Sequence, residues 1–205
     1  INSAVYVWFH SQDEDPQWQL EAIPQFSDEE GWVYFERRRW KIKSRNQEMA
    51  ENSVDKAHFK YVHKTQNVPP LSGGPDPEQP HMLRLFGENQ MSSKRGNVDG
   101  TLTITEWGFG LSTTVFTGFV ETLLMSGVTP IDEETVDVRF TFLLKKALNK
   151  DITQGVGKMF VAEVCRQLEE DIPIWENKIF LERPVLCDGD GPIGMLRRWG
   201  RQFYT

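Results

Sequence analysis

Over long stretches of this chain, apolar and polar positions alternate with period two. Val5-Tyr6-Val7-Trp8-Phe9 reads as a first strand and is followed by the acidic loop Asp13-Glu14-Asp15-Pro16. Residues 31–43 hold Trp32, Tyr34, Phe35 and Trp40 among Arg37, Arg38 and Arg39, and predict a strand. Residues 47–64 contain neither Gly nor Pro, so Asn46 is expected to cap one helix running to about Lys64. A breaker-rich loop follows, with Pro69, Pro70, Gly73, Gly74, Pro75, Pro77 and Pro80. Loops longer than about 12 residues are often lids or mouths. From His81 to Lys146 the chain reads as successive strands. Residues 101–106 and 135–142 alternate, residues 111–126 form a long β-rich run, and an acidic turn occupies 130–134. Adjoining strands without helices between them predict an antiparallel meander. A last helix is expected from Asp151 or Ile152 to Asp171, just before Pro173, with Met159, Phe160, Val164 and Leu168 at helical spacing. The fold class is α+β: a curved antiparallel sheet around a long C-terminal helix, with room for an apolar cavity between them.

Composition narrows this picture. With 205 residues, the chain makes one large domain or two small ones. Apolar residues at 39% and charged residues at 26% argue against a disordered chain. Seven Trp and thirteen Phe suit a core built around an apolar space. No apolar run reaches the ~18 residues of a membrane span, and a net charge of −7 argues against nucleic acid as the main partner. Two cysteines, Cys165 and Cys187, exclude a disulfide framework and a cysteine-rich metal cluster. The chain opens at Ile1 in mid-strand, with no signal pattern. It is read as a cytoplasmic piece of a longer polypeptide.

The chemistry gathers on histidine. Of His10, His58, His63 and His81, two fall within Glu51-Asn-Ser-Val-Asp55-Lys-Ala-His58-Phe-Lys-Tyr-Val-His63. On an ideal helix Asp55 and His58 lie about 60° apart. Asp55 is therefore expected to accept a hydrogen bond from one ring nitrogen of His58, leaving the other free for a metal. His58 and His63 lie about 140° apart on a straight helix. They can share a metal only if the helix is distorted or ends between them. Two histidines on a polar helix are ordinarily solvated or core-bonded residues, so spacing alone does not make a site. Two His and one carboxylate with open positions form the constellation of non-haem Fe(II) oxygenases. Residues 168–178 offer late carboxylates, and spacing leaves Glu169, Glu170 and Asp171 open.

The stretch Glu51-Asn52…Asp55…His58…His63 resembles the iron motif of Rieske non-haem iron oxygenases, one residue shorter between Asn and Asp than in the naphthalene-type enzymes. Residues 170–178 (Glu-Asp-Ile-Pro-Ile-Trp-Glu-Asn-Lys), residues 184–193 and Arg197-Arg-Trp199…Tyr204 resemble the end of the 3-ketosteroid 9α-hydroxylase and cholesterol 7-desaturase (Neverland-like) branch. Ala4-Val-Tyr-Val-Trp8 and Thr129-Pro-Ile-Asp-Glu-Glu134 fit the same branch. The resemblance covers essentially the whole chain and is thinnest from Leu71 to Leu102. It implies a helix-grip (START/Bet v 1-like) catalytic domain over 1–205, with 1–26 as the leading strand and linker from a missing Rieske domain. It implies Fe(II) held by His58, His63 and Asp171, with Asp55 as the catalytic bridge for electrons from a neighbouring subunit's [2Fe-2S] cluster in a homotrimer. A reductase or ferredoxin would supply the electrons. O2 and an apolar, steroid-like small molecule would be the substrates, hydroxylated or desaturated. Cys165 and Cys187 have no neighbouring histidine, so this chain itself is not expected to hold a Rieske cluster.

Other signals are weaker. Asp188-Gly-Asp-Gly191 resembles a calcium loop, but Trp199 stands where the bidentate acid belongs, so a tight turn is expected. Gly155-Val-Gly-Lys158 lacks the rest of a phosphate loop and reads as helix. Arg197, Arg198 and Arg201 among Trp199, Phe203 and Tyr204 suggest a subunit or redox-partner contact, with a phosphate or membrane surface as the other reading. Cys165 is expected as a small buried hydrophobe. The rival class is a non-catalytic helix-grip lipid- or sterol-binding module, which would not need the His58/His63 pair and a late carboxylate.

Overall fold

The alternating segments pair into one seven-stranded antiparallel sheet in a computed structural model that describes residues 1–65, 68, 70–93, 96–146, 150–187 and 189–204. The strands are β1 (Trp32–Ile42), β2 (Leu71–Pro75), β3 (Met82–Ser93), β4 (Gly96–Trp107), β5 (Leu111–Phe116), β6 (Thr122–Pro130) and β7 (Val136–Lys145). Across the sheet they run β1-β7-β6-β5-β4-β3-β2. Four helices accompany them among the described residues: α1 (Asn46–Glu51), α2 (Lys56–Tyr61), α3 (Lys150–Asn177) and α4 (Ile193–Gly200).

Period-two alternation gives the sheet two faces, and both are covered. On one face Val136, Val138, Phe140, Phe142 and Leu144 of β7 meet Val161, Cys165, Leu168 and Trp175 of α3. On the other, Leu123, Met125 and Leu143 pack with Trp32, Met82 and Trp107 under the arm that carries Ala4, Tyr6, Trp18 and Leu20. The helix lies close on the sheet: a Cβ at Gly157 would stand 2.3 Å from Leu144 Cδ1, so a larger residue there would push the buried Leu144 side chain aside. α4 closes the far end, setting Ile193, Leu196 and Trp199 against Leu83, Leu85, Leu102, Ile104 and Val54.

Four sequence expectations are corrected. Residues 5–9 form no strand; Ala4 and Tyr6 pack inward while Val5, Val7 and Phe9 stay exposed, so the alternation survives without a ladder partner. The breaker-rich stretch contains β2, pairing with β3 from Leu71↔Gly87 to Pro75↔Leu83, and Pro69 lies outside the described residues. An edge strand accepts proline because one row of its N–H groups has no ladder partner. The β-rich run 111–126 is two strands, turning at Gly118 with φ 126°. α3 does not stop at Asp171 but continues through Pro173 to Asn177. Proline costs about 3 kcal/mol inside a helix. Burial of Trp175 and partial burial of Ile172 against the core offset it, and Asn177 Nδ2 donates to the Pro173 carbonyl at 2.8 Å. The inward stripe of α3 is Val161, Val164, Cys165, Leu168, Ile172 and Trp175, and Met159 is exposed.

The remaining signals have structural roles. Gly155–Lys158 lies within α3. Asp188 lies outside the described residues, and beside it Cys187 N donates to Asp190 Oδ2 at 2.7 Å, as in a tight turn. Burial pushes the Cys165 thiol up to about 11, so it is an inert part of the core. Arg197 is occupied internally, which corrects its expected surface role. Its Nε donates to Glu51 Oε1 at 2.6 Å, and Lys178 Nζ reaches Glu51 Oε2 at 3.0 Å. Lys178 also pairs with Glu48. This knot fastens α1 to the tail of the chain. Burial raises the Glu51 carboxyl, and the hydrogen bonds from Arg197 and Lys178 outweigh it, so the group lies below its ordinary value of 4.5.

Glu51→Gln leaves Arg197 partly buried without its counter-charge, while Lys178 keeps Glu48, and is expected to cost about 3 kcal/mol at pH 7. A carboxyl lowered in the folded state stabilises above its unfolded value and loses that contribution as pH falls through the folded one. Urea melts of the two proteins should therefore differ by a constant amount from neutrality down to pH 5 and converge below 4.5. An equal difference at every pH would show that the ion pair is not the source.

Candidate metal centre

The segment 46–64 is not one helix, and its break makes the site. α1 ends at Glu51 and α2 begins at Lys56. Between them Val54 is buried and the tail presses on its carbonyl: a Cβ at Gly191 would lie 1.5 Å from Val54 O. Asp55 then serves as N-cap of α2, its Oδ1 accepting from Ala57 N at 2.9 Å. This corrects the expected contact with His58. The Asp55 carboxylate caps the helix, and its backbone carbonyl, not its side chain, meets His58 Nδ1. Asn46, expected as a cap, is itself the first residue of α1, and its Nδ2 donates to Val128 O at 3.2 Å.

α2 also ends between the two histidines. Val62 N donates to His58 O at 2.7 Å, and His63 N reaches the same carbonyl at 3.4 Å, a closure wider than the α-helical one. That turn removes the 140° separation of a straight helix and sets the two rings 5.1 Å apart at 84°.

α3 supplies the carboxylate from more than a hundred residues away. His63 Nε2 lies 3.4 Å from Asp171 Oδ2, and His63 Nδ1 lies 3.0 Å from Glu170 Oε2. Asn52 Nδ2 donates to Asp171 Oδ2 at 3.1 Å and stands 3.3 Å from His58 Nε2. One ligand atom from each of His58, His63 and Asp171 falls within 4.8 Å of the others, and all three residues are buried. Of the three carboxylates left open by spacing, the geometry brings Asp171 into this group. Glu170 stands behind His63, gripped by Arg166, and Glu169 accepts from Trp40 Nε1 at 3.3 Å on another side of α3. His81 stacks on Trp18 at 4.5 Å and His10 on Trp8 at 6.4 Å, both apart from the cluster. Asn52 belonged to the recognised motif without a role. Its place inside the motif Glu51-Asn52…Asp55…His58…His63 was the available signal.

Burial lowers the His58 imidazole, against the pull of Asp171 and Asp55, and so favours the neutral ring that a metal requires. Burial raises the Asp171 carboxyl, against the pull of His63 and His58. The donor set fits a divalent transition metal. The Nδ1 atoms meet Asp55 O and Glu170, so both Nε2 atoms turn into the cluster, where a cation would take over their present contacts with Asn52 Nδ2 and Asp171 Oδ2. The cluster faces a cavity between sheet and helix that Leu102, Ile104, Phe116, Leu124, Phe140 and Trp175 also line.

A sheet packed on a long helix, with two histidines and a carboxylate turned into the cavity between them, defines a helix-grip domain with a candidate mononuclear metal site. The chain belongs to the 3-ketosteroid 9alpha-hydroxylase C-terminal domain family, which it matches over residues 7–204. It is 28% identical over 234 residues to a cholesterol 7-desaturase of Caenorhabditis elegans, covering 100% of this chain and 53% of that protein. It is 26% identical over 223 residues to the oxygenase component of a 3-ketosteroid-9-alpha-monooxygenase of Rhodococcus rhodochrous, covering 100% of this chain and 56% of that protein. The chain thus spans about half the length of these relatives. Among solved structures, NdmB of Pseudomonas putida CBB5 superposes with a TM-score of 0.65 at 17% identity, over 89% of this chain and 53% of that one, and shares the fold.

Asp171→Asn and Glu170→Gln separate a ligand from its neighbour. In anaerobic Fe(II) titrations, Asp171→Asn should abolish tight binding. Glu170→Gln should stay within the ~10–100-fold loss typical of groups that orient a ligand. The reverse ranking would make Glu170 the ligand.

Proposed function

We propose that this chain is the catalytic domain of a Rieske-type non-haem iron oxygenase that hydroxylates or desaturates an unactivated C–H of an apolar, steroid-like substrate. The observation that carries this reading is the convergence of His58, His63 and Asp171 within 4.8 Å at the wall of an apolar cavity. The family and the names of the relatives support it. A carrier of lipids would have no use for three buried ligand groups, whose desolvation costs stability.

In this reading His58, His63 and Asp171 hold one Fe(II), which when bound supplies reductive activation of O2. The chain's own residues prepare the site. The Asp55 carbonyl and the Glu170 carboxylate fix the two imidazoles so that each turns Nε2 inward. Asn52 steadies the Asp171 carboxylate. The apolar walls exclude water and set the substrate carbon against the open side of the cluster. Electrons come from a [2Fe-2S] Rieske domain fed by a reductase or ferredoxin in the cytoplasm. Residues 1–26 form the linker to that domain, and Asp55, half-buried at the start of α2, bridges electron entry across the subunit boundary of a homotrimer.

His58→Ala should lose most bound iron by elemental analysis; full occupancy in that variant would remove the site from consideration. Asp55→Asn keeps the backbone carbonyl that meets His58, so it should retain iron within about 10–100-fold in affinity. Turnover with the electron donors, measured in the same preparation, should fall far more than iron content does. Equal losses of both would mean that Asp55 serves only as a helix cap.

A further inference from the structure

β4 carries one residue that breaks its own pattern. Leu102, Ile104 and Glu106 alternate with threonines, and all three side chains line the cavity. Where the period calls for an apolar residue, a carboxyl stands on the cavity face. Glu106 is 3% exposed, and among the described residues its Oε2 has no hydrogen-bond partner. The Ser53 hydroxyl faces it but already donates to Ala50 O at 2.7 Å.

The register extends this polar point into a row. Glu106 is paired with Ser112 of β5, and Ser112 with Ser126 of β6. Residues directly opposite in antiparallel strands project from the same face, and Ser112 and Ser126 also line the cavity. The adjoining row, Ile104, Thr114 and Leu124, is more apolar. The cavity floor is therefore crossed by a polar stripe that ends in a carboxyl whose Oε2 has no partner among the described residues. A fold tolerates a buried polar group without a partner at the expense of stability, and such groups collect where a ligand completes them. Burial pushes the carboxyl up to about 7, with the Ser53 hydroxyl opposing, which is consistent with a group lacking a counter-charge.

Resting on the oxygenase reading, we propose that the row Glu106–Ser112–Ser126 is a polar subsite that selects a substrate bearing a hydroxyl on an otherwise apolar, steroid-like body. A hydroxyl both donates and accepts, so it pairs with a carboxyl whether or not that carboxyl holds a proton. A ketone only accepts, and it loses its partner whenever the carboxyl is ionised. A hydrocarbon at this point leaves Glu106 buried and unsatisfied.

The test compares three ligands that share one sterane body: an alcohol, the matching ketone and the deoxy hydrocarbon. Their dissociation constants are measured by quenching of tryptophan fluorescence at pH 8, with Fe(II) binding titrated on the same preparations. The native protein should favour the alcohol over the other two by about tenfold or more, the scale of a hydrogen bond to a charged group. In Glu106→Leu the three ligands should bind within about threefold of one another, with iron binding retained. Glu106→Gln, which keeps a donor and an acceptor in place, should restore part of the preference for the alcohol over the hydrocarbon. Ser112→Ala/Ser126→Ala removes only two hydroxyls and should cut the preference; it decides the matter if Glu106→Leu fails to fold. A native protein without preference, or a preference unchanged in these variants, overturns the subsite while the iron titration leaves the oxygenase reading standing. Loss of both iron binding and sterane binding in the native protein overturns the two together.

Discussion

Asp171 and Trp175 ride on the same helix, and that shared support is the constraint on which the site depends. Trp175, Leu168, Cys165 and Val161 lock α3 into the sheet. Asp171 is thereby held at one position relative to His63 and Asn52, which belong to a different part of the chain. A carboxylate on a loop would have to be ordered at an entropic cost for each freed residue; here the hydrophobic contact has already ordered it. Continuation of α3 through Pro173 has the same meaning. The last turn is needed because it carries Trp175 into the core, and the loss of one hydrogen bond is the smaller effect.

The histidine side of the site is held in a different way. α1 and α2 are each six residues long, too short to be stable alone. They keep their shape because the tail of the chain covers them. Arg197 and Lys178 bind Glu51 below, and Gly191 lies on the Val54 carbonyl in the turn between the helices. The ion pairs are half-buried and charge-assisted, so they fix orientation more than they add net stability. The last thirty residues thus act as a clamp on the segment that carries both imidazoles. The cavity in front of that clamp is mostly apolar, and its polar groups gather chiefly at the candidate metal cluster and at the stripe that ends in Glu106.

Much of the fold was legible because its determinants are local. Alternation in residues 31–43, 101–106 and 135–142 marks β1, β4 and β7, and lack of helices between the later strands implies antiparallel pairing. The reading failed where a local rule met a tertiary one. Residues 5–9 have the alternation of a strand but pair with none of the described strands, packing Tyr6 onto the sheet face instead. The prolines around β2 hide a strand, because an edge tolerates what a central strand does not. Absence of Gly and Pro from 47–64 suggested one helix, yet capping of α2 by Asp55 and pressure from Gly191 divide it.

The candidate site follows the same division. The sequence by itself determined the residue types: two histidines five apart, an aspartate upstream and carboxylates at the end of the last helix, in a motif that carries its family with it. Residue spacing did not determine that the helix ends between the histidines, that Asp55 meets His58 through its carbonyl, or that Asp171 gathers with both histidines while Glu170 meets only the outer nitrogen of His63. Those depend on which face of α3 the core claims. On a helix successive residues point about 100° apart, so once Leu168 and Trp175 are buried, the directions of 169, 170 and 171 are settled by packing with the sheet, a contact that no short stretch of sequence contains.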